Sequence, residues 1–187
     1  MPRKRSKGNW LSNIPPHIGH YLAGFADGEG SFFVTLKKRA DHTLGWQVTL
    51  IFNVSQRDKT VLALFKRHLG CGTLYQRKDG VWYYYVSNFT AIKEQVIPFF
   101  KKYGFLSASK KKNFSIFVKI ADILSKSEEI TPKELEEIIK LREKINEGRG
   151  RKRTYELEDY KNYLAENPQR LYAGITPRRK RQKRDKR

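Results

Sequence analysis

Residues 22–30 read Leu22-Ala23-Gly24-Phe25-Ala26-Asp27-Gly28-Glu29-Gly30. Ala23, Gly24 and Gly28 are small, and Gly24 and Gly28 stand one helical turn apart. On a helix that spacing clears a track along which a second helix can approach backbone to backbone, closer than the usual interaxial distance of about 8–10 Å. Glu29 is expected just past the end of this helix, where the chain leaves for a sheet. Two copies packed side by side would bring two Glu29 carboxylates together at the foot of the interface. Close acids repel unless a cation lies between them. Hard oxygen ligands favour Mg²⁺, which keeps several waters and takes one or two carboxylates plus substrate phosphate. That combination serves metal-assisted phosphodiester hydrolysis.

Outward from this stretch the pattern alternates between helix and hairpin. Upstream, Asn13-Ile14-Pro15-Pro16 predicts a helix entrance, because proline is tolerated in the first turn. The helix is expected to run to about Asp27 and to stop at Gly28 or Gly30. Ser31 to Arg39 alternates, with Phe32, Val34 and Leu36 on one face and Phe33, Thr35, Lys37 and Arg39 on the other. A turn at Asp41 to Gly45 leads to a second strand, Trp46 to Val54, with Gln47, Thr49, Ile51 and Asn53 on the polar side. A helix from about Asp58 to Leu69 carries Val61, Leu62, Phe65, His68 and Leu69 at a period near 3.6. Strands follow at Thr73 to Arg77 and Val81 to Ser87, joined at Asp79-Gly80. A helix near Thr90 is expected to break at Pro98. Further helices are read at Asn113 to Leu124, after Thr131-Pro132, and at Tyr155 to Ala165. The order is αββαββα plus C-terminal helices, an α+β layout with one antiparallel four-stranded sheet and helices on one of its faces.

The other sheet face carries Thr35, Lys37, Arg39, Gln47, Thr49, Asn53, Tyr75, Arg77, Tyr83 and Tyr85. It is too polar for a core and unusually aromatic for solvent exposure. It fits either a surface laid into the major groove of a nucleic acid or a solvated sheet with cross-strand tyrosine pairs. Charge favours the first. Across 187 residues, 39 Lys plus Arg stand against 19 Asp plus Glu, a net +20 that calls for a polyanionic partner. Clusters lie at Arg3 to Lys7, Lys110-Lys111-Lys112, Arg149 with Arg151-Lys152-Arg153, and Arg178 to Arg187. Residues 1–13 read as a basic arm, 14–166 as the folded domain and 167–187 as a basic, disordered tail. Hydrophobic residues at 39% and aromatics at 13% can bury a core, which excludes wholesale disorder. The single cysteine, Cys71, excludes an intrachain disulfide and a cysteine-rich zinc framework. His17, His20, His42 and His68 form no metal-ligand set. No apolar run approaches the roughly 20 residues that span a bilayer, and the basic stretch Met1 to Lys7 precedes no apolar segment, so neither a membrane partner nor a signal peptide is expected.

The motif Leu22 to Gly30 resembles the signature of the LAGLIDADG homing endonucleases, and the αββαββα order resembles that family's core. The resemblance covers about Pro15 to Leu124, with an extension toward the basic loop near Arg153. It implies a curved DNA-binding sheet and a divalent-metal-dependent hydrolase that makes a double-strand break. The implied site is long and pseudopalindromic, and the implied biology is intron mobility. Glu29 occupies the family's acidic metal-ligand position, and Gly28 corresponds to a glycine whose carbonyl faces the metal. Mg²⁺ is the implied cofactor, with Mn²⁺ able to substitute. Gln56, in Asn53-Val54-Ser55-Gln56, matches a glutamine that positions water or metal. Lys110 matches the active-site lysine, with Lys111 and Lys112 as rivals one or two residues away or as phosphate contacts, together with Arg149, Arg151, Lys152 and Arg153. One copy of the motif implies a homodimer, with Ala23, Gly24, Phe25 and Asp27 at its interface. Asp27 is read mainly as structural. The alternative on the same fold is an RNA-binding maturase acting on its own intron RNA. The compartment stays open between an organelle and the cytoplasm of a prokaryote.

Overall fold

The computed structural model describes residues 10–126, 129–146 and 153–172. A 3-10 turn, Trp10–Asn13, leads into α1 (Pro16–Glu29), which passes directly into β1 (Gly30–Lys38). The chain continues through β2 (Trp46–Gln56), α2 (Lys59–Leu69), β3 (Thr73–Gln76) and β4 (Trp82–Val86). Next come α3 (Phe89–Ala91), a π-helical turn (Ile92–Val96), α4 (Ile97–Tyr103) and α5 (Ala108–Lys126). The last elements are α6 (Pro132–Glu143), α7 (Leu157–Glu166) and a 3-10 turn, Pro168–Tyr172. The αββαββα order is therefore observed.

Local chemistry places these boundaries. Asp58 caps α2 by accepting the Thr60 N–H at 2.8 Å, and Gly70 ends it in the left-handed region at φ 70°. Thr131 and Glu134 form a reciprocal capping box at the start of α6. The expected break at Pro98 does not occur. The helical run continues through it because the preceding turn widens, with the Ile97 N–H bonding back to the Ile92 carbonyl. A π-turn relieves the crowding a proline ring imposes on the preceding turn and absorbs its missing donor. Two outer boundaries also move. Trp10–Asn13 belongs to the domain, since the Leu11 carbonyl accepts from Lys102 Nζ at 3.0 Å. Pro168–Tyr172 is folded where a disordered tail was expected to begin. The clusters at 3–7 and 178–187 lie outside the described residues.

The sheet has strand order β1-β2-β4-β3, with every neighbouring pair antiparallel. Its covered face presents Phe32, Val34, Leu50, Phe52, Val54, Tyr84 and Val86 to α1, α2, α4 and α5. Phe32 is the hub. The rings of Phe52, Phe100, Phe105, Phe114 and Phe117 surround it with centroids 5.0–5.7 Å away.

Strand β1 is a sheet edge, and unpaired edge carbonyls invite wrong pairing. Side chains close it. Arg142 Nε donates to the Val34 carbonyl at 3.0 Å, and Asn146 Nδ2 donates to the Phe32 carbonyl at 3.0 Å. Asn113 holds Asn146 in place through two hydrogen bonds, at 2.7 and 3.1 Å. A second, smaller core (Leu36, Leu44, Trp46, Leu135, Ile139, Tyr160) ties the far end of the β1–β2 hairpin to α6 and α7.

Truncating Phe32 to Ala removes the hub of the main core. We expect a loss of about 3–5 kcal/mol in denaturant-induced unfolding.

Candidate active site and nucleic-acid interface

The site is built where α1 becomes β1. The turn is tight: a Cβ placed on Gly30 would lie 2.6 Å from the Ala26 carbonyl oxygen, so only glycine fits. Glu29 is the last residue of α1 rather than the first beyond it, and it is exposed. A carboxylate there faces the negative end of the helix dipole, a local conflict that a cation would relieve. Such conflicts concentrate at functional sites.

Asp27 lies two residues earlier and reaches across to the start of α5. Its carboxylate accepts the Leu106 and Ser107 N–H groups, both at 2.9 Å, and the Ser107 hydroxyl. Burial works against ionisation of Asp27, but the Ser107 and Leu106 donors and the nearby Lys110 ammonium outweigh it and hold its pKa below the ordinary value. Ser107 in turn accepts the Lys110 N–H at 3.4 Å, as an N-cap does.

This arrangement separates the three lysines. Lys110 is half-buried, and its Nζ donates to the Gly30 carbonyl beside Asp27 and Glu29. Burial pulls its pKa down, and the Asp27 and Glu29 charges offset this only in part. Lys111 and Lys112 are exposed on the helix. Gln56 ends β2, two residues beyond Val54, which pairs with Gly30, so it stands at the Glu29 end of the sheet. Its Oε1 accepts the Arg57 N–H at 2.8 Å.

Among the described residues no three His, Cys, Asp or Glu side chains group as a metal site. The Glu29 carboxylate, with the Gly28 carbonyl one residue before it, would offer hard oxygen donors but not a full ligand set. That donor set fits Mg²⁺, which takes few protein ligands and completes its shell with water and phosphate.

The open face of α1 lies next to this site. A Cβ added at Gly24 or Gly28 would meet nothing within 4 Å, and Tyr21 on the same side is 50% exposed. The residues expected at the interface differ in exposure within the single chain. Ala23 is 2% exposed and packs into the chain's own core. Phe25 leans on Phe65, with ring centroids 6.5 Å apart. The Asp27 carboxylate bonds to the start of α5, and Gly24 is the most exposed member of that set, with Phe25 and Asp27 part-buried.

The uncovered sheet face is as the alternation predicts. Cross-strand pairs are Thr35↔Thr49, Lys37↔Gln47, Asn53↔Tyr85 and Tyr75↔Tyr83. Tyr75 stacks on Tyr83 at 5.4 Å and 11°. Two arginines expected in strands sit just beyond them. Arg39 follows β1 and makes a bidentate pair with Asp41 at 2.8 and 2.7 Å, which holds the Asp41 pKa down at about 2. Arg77 follows β3, donates to the Tyr83 hydroxyl at 2.9 Å and pairs with Asp79 at 3.3 Å.

Arg153 departs from its expected phosphate role. Its Nη2 donates to the carbonyls of Arg142, Glu143 and Ile145 at 3.2, 3.1 and 2.8 Å, closing the C-terminus of α6. Arg149, Arg151 and Lys152 lie outside the described residues. The sequence reading missed Ser107, although a serine three residues before Lys110 at a helix start is a recognisable cap signal. It also missed Lys59, whose Nζ lies 4.4 Å from the Trp82 ring centroid, beside Gln56. No local pattern marks that pair.

A model of the LAGLIDADG endonuclease family matches residues 22–121, from within α1 to within α5, a stretch that includes Asp27, Glu29, Gln56, Ser107 and Lys110. The chain belongs to the LAGLIDADG endonuclease family. It is 31% identical over 155 residues to a probable intron-encoded endonuclease 2 of Neurospora crassa, covering 78% of this chain and 32% of that protein. It therefore spans about a third of that relative's length. The archaeal intron-encoded homing endonuclease I-Vdi141I, solved in complex with DNA, superposes with a TM-score of 0.72 at 28% identity, covering 79% of this chain and 94% of that one. The meganuclease I-SmaMI, solved bound to uncleaveable DNA, superposes with a TM-score of 0.66 at 35% identity, covering 70% of this chain but 46% of that one. No helix among the described residues is long and apolar enough to cross a membrane.

Because the folded pKa of Asp27 is lowered, its contribution to stability is present above its unfolded value, about 3.9, and is lost as pH falls through the folded value. Asp27→Ala should cost about 1–2 kcal/mol at pH 7. The gap in Tm between variant and parent should narrow by pH 3.

Proposed function

We propose that this LAGLIDADG protein is a site-specific DNA endonuclease. In this reading it acts as a two-fold pair of chains, making a divalent-metal-dependent double-strand break in a long pseudopalindromic site. The observation that carries the reading is a half-built site: one exposed Glu29 at the C-terminal end of α1, next to a track bared by Gly24 and Gly28. A second α1 packed along that track would bring a second Glu29 to the first. The length relations support this pairing, since one chain aligns with nearly all of the I-Vdi141I chain and with under half of the I-SmaMI chain.

In this reading Glu29 and the Gly28 carbonyl of each chain would hold Mg²⁺, or Mn²⁺ in its place. When bound, the metal supplies Lewis-acid stabilisation of charge at the phosphate and on the leaving 3′ oxygen. The chain's own groups do the rest. Lys110 Nζ, with its pKa lowered by burial, stands beside the acids and can stabilise phosphate charge or exchange a proton with water. Gln56 orients water at the end of β2. Thr35, Lys37, Gln47, Thr49, Asn53, Tyr75, Tyr83 and Tyr85 face the major groove, where Gln and Asn suit adenine and Lys suits guanine. Arg39 and Arg77 border this face, already paired by Asp41 and Asp79. Lys111 and Lys112 contact phosphates, which makes affinity fall as salt rises. The biological setting that fits is an intron-encoded gene whose product promotes intron mobility.

The test is a cleavage selection on a randomised two-fold-symmetric duplex library in Mg²⁺, run in parallel in Ca²⁺. A discrete site cut only in Mg²⁺ is expected. On that site Glu29→Gln should slow cutting by at least about 100-fold while retaining binding in Ca²⁺. Lys110→Met should slow it by about 10²–10⁴-fold. Full-rate cutting by Glu29→Gln, or a defined bound site that is never cut, would overturn the reading.

A further inference from the structure

The end of the β1–β2 hairpin is gripped by a part of the chain that lies beyond the 22–121 family match. Lys38 and Trp46 form the last cross-strand pair of the hairpin, on the covered side of the sheet. Directly beside them on the open side is the pair Lys37↔Gln47. The Lys38 ammonium lies 5.5, 5.5 and 5.8 Å from the ring centroids of Trp46, Tyr155 and Tyr163, a three-walled aromatic cage. Tyr155 and Tyr163 meet Trp46 edge-on, at 5.0 and 5.5 Å. Trp46 is 2% exposed and its Nε1 has no hydrogen-bond partner, so packing and charge hold this indole.

The same segment also reaches the hairpin turn. Arg170 Nη1 donates to the His42 and Thr43 carbonyls, at 2.8 and 3.1 Å. Gly45, at φ 74°, leaves room for the Tyr163 hydroxyl where a Cβ would collide. At its other end the segment is anchored to α6. Arg142 Nη1 donates to the Tyr155 carbonyl at 2.7 Å, while Arg142 Nε bonds the β1 edge.

We propose that residues 153–172 form a brace that fixes the reach of the β1–β2 hairpin, so that Lys38 and Arg170 are positioning residues for base selection by Lys37 and Gln47. A two-stranded ribbon reads bases only when its side chains are held to within a fraction of an ångström. Leu135 and Ile139 of α6 also pack under this end of the hairpin, but the turn itself is met by Arg170, on the His42 and Thr43 carbonyls, and by Tyr163, at Gly45. The brace leaves the Glu29 end of the sheet untouched, so it acts on which outer bases are accepted and not on the rate of cutting. The inference rests on the DNA-endonuclease reading above.

The test uses the full chain with Lys38→Met, which keeps the aliphatic stem and drops the charge, Arg170→Ala, the double variant, and Lys38→Arg as the conservative control. Base preference is read position by position from the selected sites, and amide hydrogen exchange of residues 39–45 is measured without DNA. The brace predicts that the double variant loses about tenfold discrimination at the outer positions only. It also predicts faster exchange in the turn, a Tm within about 5 °C of the parent, and near-parental behaviour for Lys38→Arg. Preference lost evenly along the site, preference unchanged, or turn exchange unchanged would each overturn it. A parent protein that selects no DNA sequence would sink the endonuclease reading instead, and the exchange measurement would still decide whether the brace exists.

Discussion

The carboxylate of Asp27 joins the C-terminal turn of α1 to the N-terminus of α5, and the rest of the site depends on that tie. It accepts two backbone N–H groups and the Ser107 hydroxyl. One side chain thereby sets the distance between the helix that presents Glu29 and the helix that presents Lys110. The Lys110 ammonium then closes the loop on the Gly30 carbonyl. A charged group satisfied in this way is stronger than a neutral cap and is lost at once when the acid is removed. Asp27, through its bonds to Leu106 and Ser107, thus links the turn that carries Glu29 to the helix that carries Lys110.

Around this tie the molecule leaves two surfaces open that a self-sufficient domain would cover. One is the glycine track on α1, where added side chains would meet nothing. The other is the sheet face of Thr35, Lys37, Gln47, Thr49, Asn53 and the tyrosines. Each asks for a partner of a different kind. A bare helix track suits another helix, and a polar, aromatic sheet on a chain of net charge +20 suits a nucleic acid. Glu29 lies where the two surfaces meet, at a helix end whose dipole disfavours it. A symmetric pair of chains on DNA satisfies all three conditions together.

Much of this was legible in the sequence because it rests on short-range rules. The period-2 alternation at 31–38 and 46–54 sorted both faces of the sheet correctly, and Gly70 and Asp79-Gly80 marked their turns. What failed has definite causes. Pro98 argued for a break, but a π-turn needs long-range packing to hold it and has no local pattern. Ala23 was grouped with Gly24 on size, although a helix rotates them about 100° apart, so one faces the core and the other the open track. Arg153 looked like a phosphate ligand because it closes a basic run, and only the fold brings it to the end of α6. The three lysines at 110–112 could not be separated without the helix phase that Ser107 sets. The cage around Lys38 joins residues more than a hundred positions apart, beyond any motif.

The central claim is that one chain holds half a catalytic site. The most direct measurement is the stoichiometry of the protein on its selected duplex, by native mass spectrometry in Ca²⁺. The account predicts two chains per duplex, on a site whose halves are related by two-fold symmetry. A single chain per duplex that still cuts both strands when Mg²⁺ is added would contradict it.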